Sequence, residues 1–347
     1  MIELRSDTLT QPTPAMRHAI AHAVVGDEQK REDPTVNELE TRGAELLGHD
    51  EAVFVPTATM ANEIALRLHS RPGDEVIAEE NSHILIAELG GPAVFAGLVT
   101  RPVPSTNGRF GPELIRSLAR EGDSHHAPRT RVVSIESTHN SSGGRVWPLA
   151  EVAAVAAECR ALDIRLHLDG ARLMNAAVAL GVRAAEVGRH ADTVTLCLSK
   201  GLGCPLGALV AGSNEAMHEA RRLKHLFGGA MRQAGIVAAA GVYAFDHHID
   251  RLADDHARAR RLADGLVDAG LPIDLEQVET NFVQIDVGPL ELTKEEALAR
   301  IHAEGVGVSG TIHPTVLRAV THLDVSDEDI ERAIELIPRA LGVLARA

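Results

Sequence analysis

Lys200 closes a stretch, T-V-T-L-C-L-S-K-G-L-G-C-P-L-G over residues 193–207, in which Val194, Leu196 and Leu198 alternate with Thr193, Thr195 and Cys197. A period of two predicts a strand, and the glycines behind it predict a sharp turn, so the lysine stands at a strand's end. In an open α/β sheet, ligands collect beyond the carboxyl ends of the strands, where an amine can capture an aldehyde as a Schiff base. Upstream, I-R-L-H-L-D-G-A-R over residues 164–172 predicts a second strand, ending in Asp169, a glycine and Arg172. An aspartate there could simply cap the helix that follows. Paired with Lys200, it suits a ring cofactor such as pyridoxal phosphate, because a carboxylate near the ring nitrogen favours the protonated form by about 1 to 3 pKa units and makes the ring an electron sink.

A third element presents a phosphate site. Ala52 to Val55 reads as a buried strand, and Pro56-Thr57-Ala58-Thr59-Met60 leads from it into a helix through Ile64 and Leu68. Such a turn offers backbone N–H groups and the positive end of a helix dipole, with Thr59 as side-chain donor beside Thr57 and Ala58. Neither G-x-G-x-x-G nor a Walker motif is present, which removes support for a nucleotide.

The rest of the chain must hold these turns at one sheet edge. Further strands are expected at Glu75 to Ala78, Arg131 to Glu136 and G-A-L-V up to Val210, with helices between them. That alternation predicts βαβ units and a mainly parallel sheet, an α/β fold. Thr13 is placed to cap a first helix after Pro12, and Thr35-x-x-Glu38 reads as a capping box for a helix ending at Gly48. Beyond Ala234 a charge-laced helix, strands near Phe282 to Ile285 and Val316 to Val320, and closing helices predict a smaller α+β domain. The expected division is an arm at 1–14, a large domain at 15–245 and a small one at 246–347.

Composition narrows the partners. The 347 residues are 45% hydrophobic and carry a net charge of −15, with 2% aromatics. The acidic balance argues against a basic nucleic-acid surface, and the scarcity of aromatics against base-stacking platforms. Cys159, Cys197 and Cys204 lack C-x-x-C spacing, so no zinc or disulfide framework is expected, and reduced thiols point to the cytoplasm. The charged N-terminus is unlike a signal peptide, and no apolar run approaches the roughly 20 residues of a membrane span. No metal site is expected.

Read together, L-R-S-D-T-L-T-Q-P-T, E-D-P-T-V-N-E-L-E, E-S-T-H-N-S-S-G-G-R, H-L-D-G-A-R, C-L-S-K-G-L-G and G-G-A-M-R-Q resemble the low-specificity L-threonine aldolases, from Ile2 to the C-terminal helix in consistent order. The resemblance implies the pyridoxal-phosphate fold type I, with a seven-stranded-type sheet, and cleavage of β-hydroxy-α-amino acids such as L-threonine or L-allo-threonine to glycine and acetaldehyde. It implies that Lys200, with Ser199 beside it, holds the cofactor, that His83 stacks on its ring against Ala171, and that His83 or His126 acts as base. It implies substrate-carboxylate contacts from Ser6, Arg172 and Arg318, a planar guanidinium being able to bind a carboxylate bidentately. Arg232 is implied to reach a cofactor phosphate across a subunit boundary, in a homodimer or homotetramer with shared sites. Departures from the family pattern are Ala58 for a glycine, Gln29-Lys30-Arg31 for Val-Tyr-Gly, and His225 for a common lysine. A β-eliminating lyase or racemase of the same fold would use identical anchors, and a non-catalytic amino-acid or cofactor-binding protein is the alternative of another class.

Overall fold

The computed structural model describes residues 1–120 and 125–343. Seven strands form the central sheet: β1 Glu51–Val55, β2 Glu75–Glu79, β3 Val99–Val103, β4 Thr130–Glu136, β5 Arg165–Asp169, β6 Thr193–Cys197 and β7 Ala208–Gly212. Their order is β1-β7-β6-β5-β4-β2-β3. Pairing is parallel except where β7 runs antiparallel to both β1 and β6. Helices cover the sheet, and β2, β5, β6 and β7 are nearly continuous runs of buried residues, as strands covered on both faces must be. The parallel strands bring Val55, Glu79, Glu136, Asp169 and Cys197 to one edge, so the turns after them share one crevice.

The two helix starts differ in outcome. Thr13 caps Pro14–Ala21, its hydroxyl accepting from the Met16 amide at 3.1 Å. The helix Pro34–Leu47 is capped by Asp33 instead of Thr35, because Pro34 suits the first helical position and the Asp33 carboxylate accepts from Val36 N at 3.0 Å. Thr35 turns away to donate to the Val24 carbonyl, and Gly48 ends the helix in the left-handed conformation.

A smaller sheet of β8 Phe282–Asp286, β9 Ser309–Gly310 and β10 Val316–Val320, in the antiparallel order β9-β10-β8, packs with helices Leu252–Asp268 and Asp327–Ala340 around a second apolar core. The N-terminal arm is part of that core: Ile2–Glu3 pairs with Val306–Gly307, Ile2 and Leu4 are buried in it, and the Leu4 carbonyl accepts from Val320 N at 2.8 Å. This fastens residues 5–10 between the small sheet and the crevice of the large one. The three cysteines are buried, with the Cys159 thiol pushed up to about 12 by burial. No helix among the described residues is long and apolar enough to cross a membrane.

Candidate active site

The turn after β6 places Lys200. Leu198 N donates to the Gly207 carbonyl and Gly203 N to the Lys200 carbonyl, closing a compact loop before β7, and Gly203 sits at a positive φ of 75°. Lys200 is half-buried and makes no ion pair among the described residues. Ser199 Oγ stands 3.5 Å from Cys197 Sγ. One strand over, Gly170 follows Asp169 where a Cβ would come within 2.5 Å of the Thr195 carbonyl, so glycine lets the end of β5 lie against β6.

Asp169 is 2% exposed. Asn62 Nδ2 donates to its Oδ2 at 2.9 Å and Ala171 N to its Oδ1 at 3.1 Å, and no described Lys or Arg pairs with it. Asn62 is oriented from behind. Burial lowers His167 to about 4, so the ring is neutral; its Nε2 donates to Asn62 Oδ1 at 3.2 Å while Nδ1 accepts from Thr193 Oγ1 at 3.0 Å. The Asn62 amide must then present both protons forward, one to Asp169 and one to Glu88 Oε1 at 2.9 Å.

His83 opens the short helix His83–Ile86, its backbone N–H donating to Glu136 Oε2 at 2.7 Å. Its Nδ1 lies 2.7 Å from Glu88 Oε1, which leaves Nε2 for chemistry. The hydrogen bond to Glu88 raises its pKa against the opposing effect of burial, with Asp169 and Glu136 adding attraction. Polar atoms of His83, Glu88 and Asp169 lie within 4.8 Å of one another. His83 therefore stands beside Asp169, where a ring held by that carboxylate would meet an imidazole face.

At the end of β1, Thr57 caps the helix Ala58–Leu68 by accepting from Met60 N at 3.2 Å. The Ala58 and Thr59 amides are then among those that helix geometry leaves without an intrahelical partner, at the positive end of the dipole. Ala58, already helical, needs no glycine conformation.

Two arginines face the crevice from the other side, and their states differ from expectation. Arg172 is not open to a carboxylate through its fork: Nε and Nη2 donate to Asp7 Oδ2 and Oδ1 at 2.7 and 2.6 Å, both residues being buried. Its Nη1 lies 3.4 Å from Asn140 Oδ1. Arg318, on β10, donates to Asn140 Oδ1 at 2.9 Å and to Ser309 Oγ at 3.2 Å and has no acidic partner among the described residues. The Phe282 ring lies 4.9 and 5.4 Å from the two guanidinium carbons. Burial, then the neighbouring Arg172, lowers the pKa of Arg318. Two cations and one aspartate leave a positive surplus on Arg318. Ser6, half-buried, accepts from Thr8 N and precedes Asp7, the partner of Arg172, in the arm.

Other expected residues lie elsewhere. His126 is exposed in the loop before the first residue of β4, whereas the crevice follows the last; seven residues at about 3.3 Å each separate the two ends, so within one chain His126 is not beside Lys200. Arg232 is exposed and pairs with Asp27 at 3.1 Å. Lys30 is exposed, Arg31 pairs with Glu51 at 2.9 Å, and His225 is exposed next to Lys224, which is buried against Glu28. Sequence reasoning missed Asn62, Glu88 and Asn140, which orient the residues it did find.

A mainly parallel sheet with Lys200, Asp169 and His83 gathered at its carboxyl edge defines an α/β protein of the pyridoxal-phosphate fold type I. The chain belongs to the beta-eliminating lyase family, whose family model matches residues 3–288. It is 39% identical over 334 residues to the low specificity L-threonine aldolase of Escherichia coli strain K12, covering 95% of this chain and 96% of that one. It is 35% identical over 349 residues to low-specificity L-threonine aldolase 1 of Arabidopsis thaliana, covering 98% and 96%. A threonine aldolase from Leishmania major shares the fold, with a TM-score of 0.85, 21% identity and coverage of 98% and 100%.

Proposed function

We propose that this chain is a pyridoxal-phosphate lyase that cleaves β-hydroxy-α-amino acids, L-threonine and L-allo-threonine among them, to glycine and an aldehyde. The observation that carries the reading is Asp169, a buried carboxylate with amide donors and no cationic partner among the described residues, one strand away from an unpaired lysine. A buried carboxylate needs a compensating charge, and a protonated ring nitrogen supplies one. The donor set fits the cofactor in its other parts too: Lys200 for the aldehyde, His83 for a ring face, and Thr57 with the Ala58 and Thr59 amides for the phosphate. Bound there, pyridoxal phosphate supplies the sink for the electron pair released when the Cα–Cβ bond breaks.

The chain's own groups do the rest. Arg318, helped by Ser6 and set by Asn140, holds the substrate carboxylate; Arg172 fixes the arm through Asp7 and bears on that carboxylate only through Nη1. His83 takes the β-hydroxyl proton on Nε2 while Glu88 steadies Nδ1. Loss of that proton and of the Cα–Cβ bond leaves the aldehyde, and a proton returned to Cα completes glycine. Incubating the purified protein with a panel of β-hydroxy amino acids is expected to release glycine and aldehyde in equal amounts. A keto acid with ammonia, or inverted substrate, would instead identify a β-eliminating lyase or racemase, and binding without turnover a non-catalytic protein.

The site is read as shared between copies, in a homodimer or homotetramer. Exposed Leu89, Val94 and Leu226, next to the Phe95–Phe227 ring contact, form an apolar patch near the His83 segment, and such patches mark interfaces. Arg232 then serves a neighbouring copy's phosphate. Mixing Lys200→Ala and Arg232→Ala protomers is expected to restore part of the activity; heterodimers with none would remove the shared assignment. The buried thiols and acidic charge support a reducing, cytoplasmic setting.

A further inference from the structure

Behind His83 and Glu88 lies a buried acid, Glu63, that the reaction above does not use. Glu63, on the helix Ala58–Leu68, and Glu88 are both buried, and they face each other. Neither oxygen of Glu63 has a protein partner, and the same is true of Glu88 Oε2, while Glu88 Oε1 is taken by His83 Nδ1 and Asn62 Nδ2. Gly91 makes the room: a Cβ there would fall 2.0 Å from Glu63 Oε1. Asp169 lies beside His83 and Glu88, and Glu136 accepts from the His83 backbone N–H. No Lys or Arg among the described residues pairs with Glu63, Glu88 or Asp169.

Two carboxylates facing each other in a dry site cannot both stay ionised. Burial, followed by the charge of Glu88, moves the Glu63 pKa far above the usual carboxylate range. We propose that Glu63 is a positioning residue: a neutral carboxylic acid whose O–H donates to the free Oε2 of Glu88 and so fixes the carboxylate that holds His83. The bond satisfies Oε2, draws charge away from Oε1, and keeps one net negative charge behind the imidazole instead of two. His83 is thereby presented with Nδ1 anchored and Nε2 open, its basicity set below what an uncapped Glu88 would impose. This rests on the proposed role of His83, but its test does not need turnover.

Glu63→Gln keeps a donor for Glu88 without an ionisable proton; Glu63→Leu removes the donor. Infrared difference spectra between wild type and Glu63→Gln at neutral pH should show a protonated carboxyl band in wild type alone. The His83 titration, followed by NMR on histidine-labelled protein and assigned with His83→Asn, should be unmoved in Glu63→Gln and shifted upward in Glu63→Leu. Absence of the carboxyl band, equal shifts in both variants, or no shift in either would overturn the proposal. If Glu63→Leu fails to fold, the infrared band and the Glu63→Gln titration decide: a lost band with an unmoved midpoint supports the proposal, and a midpoint lowered by Glu63→Gln shows that Glu63 was ionised. A protein that fails to cleave threonine yet shows the band would overturn the proposed reaction and leave this assignment standing.

Discussion

Replacing Lys200 with alanine is expected to lower kcat for threonine cleavage by at least about 10³-fold, equivalent to about 4 kcal/mol of transition-state stabilisation. Lys200 is half-buried in a turn closed by the backbone bonds of Leu198 and Gly203, and its side chain makes no ion pair among the described residues. Its loss breaks no ion pair and removes only a minor attraction to the Asp7 carboxylate, so the stability from urea unfolding should move by less than about 1 kcal/mol. Cofactor should still associate through the amides of Ala58 and Thr59 and the Asp169 carboxylate, without a covalent link. Steady-state kinetics and denaturation on one preparation check both halves. A variant that keeps more than a tenth of wild-type kcat would show that the lysine is a turn residue with no chemical role.

The second large effect is on stability and comes from Asp7. The Asp7–Arg172 pair is buried, bidentate and long-range, tying the N-terminal arm to the turn after β5. Changing Asp7 to asparagine leaves two neighbouring guanidiniums, those of Arg172 and Arg318, without an anion. Breaking a buried pair from one side typically costs about 3 to 5 kcal/mol. Urea unfolding should register that loss, and a change below about 1 kcal/mol would contradict the role of the pair. Burial alone would raise the Asp7 pKa, but Arg172 outweighs burial, with Lys200 and Arg318 assisting, and takes it down to about 2. A depressed carboxylate stabilises the fold above its unfolded pKa, near 3.9, and that contribution fades as pH falls toward 2. Wild type should therefore lose about 2 to 3 kcal/mol across that window, and the part due to Asp7 should vanish in Asp7→Asn.

What could be read from the sequence was local. Lys200, Asp169 and the Thr57 turn each follow a strand with a clear period of two, and the strand's end places the residue whatever the rest of the chain does. The strand ending near Val210, expected among the βαβ units, runs antiparallel to both neighbours, because residues 198–207 are too few for a parallel crossover, which needs a dozen or more. The cap at Asp33 was hidden by a competing pattern at Thr35, where Pro34 decided the outcome. Asn62 and Glu63 were missed because their partners lie along the chain beyond any local pattern, Asn62 being 107 residues from Asp169, and Glu88 because nothing in the segment after His83 marks its side chain as turned back onto that ring. The signal of Asn62 and Glu63 was present as two polar residues inside the apolar helix run A-N-E-I-A-L, on positions that turn out to be buried. His126, located by similarity of a short segment, precedes the strand Thr130–Glu136, so within one chain it lies at the end of the sheet away from Lys200. Arg172, implied by the resemblance to contact the substrate carboxylate, gives its fork to the chain's own Asp7, a partner 165 residues away that no local pattern signals.

The most direct test of the account is to ask which lysine carries the cofactor. Protein saturated with pyridoxal phosphate, reduced with borohydride, digested and analysed by mass spectrometry should yield one modified peptide, with the label on Lys200 and none in Lys200→Ala. A label on Lys224, Lys294 or Lys30, or none in protein that cleaves threonine, would contradict the placement of the chemistry at the end of β6.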